Sequence, residues 1–150
     1  MQHRTPLQVL QELAHERVDE ATRKLGELIA SEHAGEVKLQ MLQKYRQEYR
    51  DRFLQAARGG IDPGGWANYS AFLVKLDEAI SAQQVVLEHS RHATARGQRE
   101  WASEHTRAKA FDTLTERQHR QEQHRLNKRE QAQSDEHAIK AYTRGLQENS

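Results

Sequence analysis

Nine histidines stand among the 150 residues, and His89 and His92, one helical turn apart, are the closest pair able to hold a metal ion. Two imidazoles are half of a tetrahedral ligand set, and neither a third ligand nor a pocket is evident near them. Solvated histidines on a helix face are the simpler reading. Neighbouring carboxylates such as Asp19-Glu20 and Asp77-Glu78 serve acid–base chemistry only where a water-excluding cleft drives their pKa values apart. The segment from Gly59 to Gly65 is rich in glycine but carries no Gly-Lys-Ser/Thr and comes after no strand, so it reads as a turn and not as a phosphate loop. The absence of cysteine removes thiol nucleophiles, thiolate metal sites and disulfides. The expectation is a protein that is not an enzyme and uses no metal and no cofactor.

Nucleic acid is the next candidate partner. Arg117, Arg120, Arg125, Lys128 and Arg129 make the most basic stretch, but Glu116, Glu122 and Glu130 interleave with them. A nucleic-acid-binding helix keeps one face free of acid and adds aromatic side chains for stacking. With 23 basic against 22 acidic residues the net charge is +1, so no field draws the whole chain to a polyanion or to anionic lipid. No stretch approaches the roughly 20 apolar residues of a membrane span, and the first residues lack the apolar run of a signal peptide. These features predict a cytoplasmic protein with neither nucleic-acid binding nor direct membrane insertion.

The elements that would position any surface are set by apolar spacing. Hydrophobic residues are 35% of the chain, charged residues 30%, and the mean hydropathy is −1.03. A round core needs more apolar material, but one stripe per helix suffices for a two-helix seam. Thr5 suits an N-cap with Pro6 at the first helical position. From there Leu7, Leu10, Ala14, Val18, Ala21, Leu25, Leu28, Leu39, Leu42, Tyr49 and Phe53 recur at mostly helical steps. The four-residue steps through Leu10, Ala14 and Val18 predict a stutter, and Glu32, Gly35 and Arg46 fall on the seam and weaken it. The spacing predicts a first helix over 6–57, a turn over 58–65 and a second helix over 66–133, with Asp62-Pro63 suited to cap and start a helix. The second helix carries Trp66, Tyr69, Leu73, Leu76, Ile80, Leu87, Trp101, Ala108, Phe111 and Leu114 on one stripe.

A short connection makes the helices antiparallel. Folding near residue 62 sets Leu42 opposite Ile80, Ala21 opposite Trp101 and Leu7 near Leu114. The apolar stripe of the second helix thus ends where the first begins. Only Leu126 and Ala132 are apolar between Thr115 and His137, which predicts a projecting polar helical extension. Ser134-Asp135 would cap a short last helix over 135–146 bearing Ile139, Tyr142 and Leu146. The expected fold is all-α, one long antiparallel two-helix coiled-coil hairpin spanning residues 1–150.

Phe72, Ala79 and Val86 form a second, heptad-spaced row beside that stripe, with Leu76 at the border. A two-helix hairpin has no third element to cover it. The row is either a broadened core, wrapped by Tyr45, Tyr49 and Leu54, or a docking surface.

"LQMLQKYRQEYR" from Leu39, Gly60-Ile61, "WANYSAFLVKLDEAI" from Trp66 and "DEHAIKAYTR" from Asp135 resemble the FliJ family of flagellar type III export proteins, and "LQELAHERVDEATRKLGEL" from Leu10 fits as well. The likeness spans nearly the whole chain. It implies a cytoplasmic coiled-coil stalk, peripherally associated with the inner membrane, that binds and stimulates the hexameric flagellar export ATPase. It also implies contact with the cytoplasmic linker of the export-gate membrane protein and escort of export chaperones. Carried onto this chain, the gate surface is Phe72, Leu76 and Ala79, with Gln83 where the family pattern suggests histidine, and Val86 continues the row. The ATPase contact falls at the end bearing both termini, at Glu12, Glu16, Arg17 and Arg107. Two other readings stay open: a general chaperone for flagellar export substrates, and a generic coiled-coil scaffold that self-associates.

Overall fold

The computed structural model describes residues 3–149, which form two long helices, α1 (Pro6–Arg58) and α2 (Pro63–Glu148), packed as an antiparallel helical hairpin. Both N-termini are capped as the sequence predicts. The Gln8 N–H donates to Thr5 Oγ1 at 3.2 Å while the Thr5 N–H donates to Gln8 Oε1 at 3.1 Å, a reciprocal capping box in front of Pro6. At α2, the Gly65 N–H donates to Asp62 Oδ1 at 2.8 Å, with Pro63 at the first helical position. α2 therefore begins at Pro63 and absorbs Gly64 and Gly65 into its first turn, three residues before the predicted start. Gly60 takes φ +90°, the left-handed conformation that lets the chain leave α1. Gly65 has no room for a side chain, since a Cβ there would lie 2.8 Å from Ile61 Cγ2.

The contacts group into two compact units. In the unit Arg17–Glu104, the positions of α1 withdrawn from solvent run Val18, Ala21, Leu25, Leu28, Glu32, Gly35, Leu39, Leu42, Arg46, Tyr49 and Phe53. On α2 the seam runs Tyr69, Leu73, Leu76, Ile80, Gln83, Leu87, Ser90, Thr94, Gly97, Trp101 and Glu104, with Ser70, Phe72, Ala93 and Ala95 partly covered at its flanks. Both series alternate steps of three and four, the spacing that keeps a coiled-coil seam facing its partner. The predicted register holds here: Phe53 stacks on Tyr69 at 3.6 Å between ring centroids, and the Trp101 indole N–H donates to Thr22 Oγ1 at 2.9 Å.

Arg46, Glu32, Gln83, Thr94 and Gly97 are accommodated in the seam in three ways, whereas Glu104 keeps one buried carboxylate oxygen without a partner among the described residues. Arg46 pairs with Asp77, and Arg91 reaches both Glu32 and Glu36, so these charges lie along one edge of the seam and meet across it. Gln83, 6% exposed, donates its amide to the Gly35 carbonyl at 3.1 Å, and Thr94 Oγ1 donates to the Ser90 carbonyl at 3.1 Å and lies 3.4 Å from that of Leu28. Gly97 leaves a notch for Leu28, whose Cδ1 would lie 2.7 Å from a Cβ placed there.

In the other unit, which takes the chain up to Glu16 together with the segment from His105 onward, Leu7, Gln11 and Ala14 turn inward on α1, and Ala108, Phe111 and Thr115 on α2. Here two expectations are corrected. Leu10 is 47% exposed and Leu114 46% exposed. Gln11 and Thr115 occupy the seam in their place, so the heptad of α1 continues without the predicted stutter. Gln11 holds the position by donating its amide to Asp112 Oδ1 at 2.7 Å, which satisfies a polar head at the seam's margin.

Beyond Thr115 every residue to Arg144 is exposed, as expected of a polar extension. The predicted break at Ser134-Asp135 is absent, and α2 continues through it to Glu148. A cap residue offers the backbone an alternative to helix but does not forbid one, and neither proline nor glycine occurs between Gly97 and Gly145. Glu136–Lys140 at 3.5 Å adds a side-chain pair at helical spacing across this region.

Candidate functional site

The second row of α2 divides residue by residue. Leu76 is 7% exposed and, with Gln83, belongs to the seam. Phe72 is half-buried: its ring lies 4.6 Å from that of Tyr49 and meets Tyr45 edge-on at 6.2 Å. Ala79 and Val86 are exposed, Val86 at 55%. The broadened-core reading therefore describes Phe72, while Ala79 and Val86 are left exposed. Tyr45 and Tyr49 wrap around Phe72 as a broadened core would, whereas Leu54 stays 49% exposed, and none of the described residues covers Val86.

The surrounding aromatic cluster explains why the row ends where it does. Tyr45, Tyr49, Phe53, Trp66, Tyr69 and Phe72 form a chain of ring contacts next to the turn. Such contacts add about 0.5–1.5 kcal/mol each beyond area burial. Within this cluster Tyr45 lies edge-on against Phe72 and keeps part of its ring surface exposed. Sequence reasoning placed Tyr45 opposite the row but missed Met41, which is 66% exposed one helical turn from Tyr45. The signal was its spacing of four residues from Tyr45, off the seam.

Among the residues assigned to the ATPase contact, Glu12 is paired with Arg4 and Glu16 and Arg107 are exposed; all three lie in the unit that includes residues 3–16. Arg17 is exposed and begins the other unit. Near Glu12 and Glu16, Asp112 Oδ1 accepts from Gln11 and lies 2.7 Å from His15 Nε2. The Gln11 hydrogen bond, then the His15 one, holds the Asp112 carboxyl below its ordinary value. A carboxylate with a depressed folded-state pKa adds stability above its unfolded value, and that stability is lost as pH falls through the folded value. The group is partly exposed, so its worth is under about 1 kcal/mol. Asp112→Asn is expected to lower the urea midpoint slightly at neutral pH, and the difference from wild type should vanish as pH drops below about 4. A difference that persists unchanged in acid would contradict this assignment.

The two histidines singled out by spacing do not come together on a ligand. His89 is exposed, and His92 Nε2 lies 3.1 Å from Glu88 on the same helix. Among the described residues no three His, Asp or Glu side chains gather as a metal-binding group, and no helix is long and apolar enough to cross a membrane.

A heptad seam of two antiparallel helices, flanked by one uncovered apolar row, defines a coiled-coil hairpin protein with a surface left over from its own folding. Nearly the whole chain matches a known family: residues 2–147 match the family described as the flagellar FliJ protein. The flagellar FliJ proteins of Salmonella typhi and of Escherichia coli (strain K12) are each 31% identical over 138 residues, 92% of this chain and 94% of the relative. The chain belongs to the FliJ family, and its role is in flagellar export and biogenesis.

Proposed function

We propose that this chain is the central coiled-coil stalk of the flagellar export apparatus: it binds and stimulates the hexameric export ATPase, contacts the linker of the export-gate membrane protein, and escorts export chaperones. On this reading it catalyses nothing itself and works in the cytoplasm, peripherally associated with the inner membrane. The observation that supports the reading best is that α1 and α2 bury their apolar stripes against one another while Ala79, Val86 and one flank of Phe72 stay exposed. Apolar side chains that folding does not use are available for a partner.

The gate contact then consists of Phe72, Ala79 and Val86, with Leu76 and Gln83 supporting that face from the seam beneath it. The ATPase contact is assigned to Glu12, Glu16, Arg17 and Arg107, on the strength of family resemblance. A single hairpin lacks sixfold symmetry, so it meets six identical subunits unequally and biases which of them is competent. The mechanism needs differential contact with two subunit states and no chemistry from the stalk.

The test is phosphate release by the purified export ATPase with and without the full chain. The expected result is no hydrolysis by the chain alone and a clear rise in the ATPase rate when it is added. An unchanged rate would remove the ATPase role.

A further inference from the structure

We propose that the uncovered row extends across both helices, with Tyr45 and Met41 of α1 completing it, and that its partner segment is amphipathic and acidic. This rests on the gate-binding reading above and specifies which chemistry the gate segment must bring.

Two observations carry it. The first is continuity of apolar surface. Phe72 and Tyr45 touch across the two helices, yet Tyr45 remains 43% exposed and Met41, one turn along, 66% exposed. The patch therefore does not stop at α2. The small side chain of Ala79 lets a partner backbone approach closely between Phe72 and Val86, as in helix-in-groove recognition.

The second is an asymmetry of charge between the two edges of the seam. In an antiparallel coiled coil both edges ordinarily carry charges that pair across the helices. One edge does so here: Arg46 with Asp77, and Arg91 with Glu32 and Glu36. The edge bearing Phe72, Ala79 and Val86 has Lys38 one heptad before Tyr45, Arg52 one heptad after it, and Lys75 between Phe72 and Ala79. All three cations are exposed, and among the described residues no ion pair or hydrogen bond holds any of them. Against them stand two exposed acidic side chains, Glu48 on this flank of α1 and Glu78 next to Ala79 on α2, too few to balance the three cations. An apolar strip bordered by unpaired cations is complementary to an apolar strip bordered by carboxylates.

The experiment is isothermal titration of the full chain with the purified cytoplasmic part of the export-gate protein, linker included, at low and high salt. Met41→Asp is expected to weaken binding by about tenfold or more. The double variant Lys38→Glu, Lys75→Glu is expected to weaken binding at low salt and to flatten its salt dependence. Val86→Asp serves as the reference, and circular dichroism checks that each variant keeps its helix content, with Met41→Ala taking the place of Met41→Asp if that one does not. If Val86→Asp loses binding while the α1 and lysine variants bind as wild type does, the two-helix acidic-partner proposal is overturned and the gate reading stands. If Val86→Asp also binds normally, the gate reading itself falls.

Discussion

Leu87→Ala is expected to destabilise the hairpin by about 3 kcal/mol, within the span of about 2–5 kcal/mol for truncating a buried leucine. Leu87 is 3% exposed and faces Gly35, where its Cδ1 lies 3.5 Å from the position a Cβ would take. Gly35 has no side chain to move into the space, and the neighbouring Gln83 is tied to the Gly35 carbonyl, so the cavity collapses poorly. A seam two helices thick also has no third layer to share the strain. Urea denaturation followed by circular dichroism reads the change directly. A loss below about 1 kcal/mol would mean that the middle of the seam adds little to cooperative folding.

The adjacent residue should behave in the opposite way. Val86→Asp is expected to leave stability within about 0.5 kcal/mol of wild type, since it changes a side chain that is 55% exposed and outside the seam. Its effect should be on binding to the export-gate protein, weakened by about tenfold or more, because a charge would be desolvated against an apolar partner. Phe72→Asp is a less decisive probe. Its ring packs on Tyr49 and Tyr45, so the change would damage the aromatic cluster and the docking face together. Unaltered gate binding by Val86→Asp would exclude this face from the contact.

The parts of the structure legible in the sequence are those where a residue type has one dominant local meaning. Thr5-Pro6 and Asp62-Pro63 can cap and start helices but do little else in these contexts, and both do so. The register was legible because the apolar stripes of two antiparallel helices must end together. What misled was ranking residues by hydrophobicity alone. Leu10 and Leu114 are more apolar than Gln11 and Thr115, but helical phase is set by the many turns to either side, and one leucine out of phase does not rotate the helix. Ser134-Asp135 misled for a related reason: a cap is a preference, and without proline or glycine the helix has no cause to stop. On the candidate surface, Phe72, Ala79 and Val86 were found from heptad spacing and Tyr45 was placed opposite them by the register, whereas Met41 was not found. Met41 lies far from that row along the chain, and it joins the row only through Tyr45, which the fold sets against Phe72.

An unbroken heptad has a hazard of its own: two such helices can slip past each other by seven residues and still match apolar to apolar. Gln83 on the Gly35 carbonyl and Leu28 in the notch at Gly97 work against that, because a slipped pair would strand a buried amide and drive leucine into a side chain. They act as the wards of a lock, admitting one alignment. That alignment is also what brings Tyr45 alongside Phe72, so these inconspicuous polar and small residues keep intact a composite face to which neither of them is exposed.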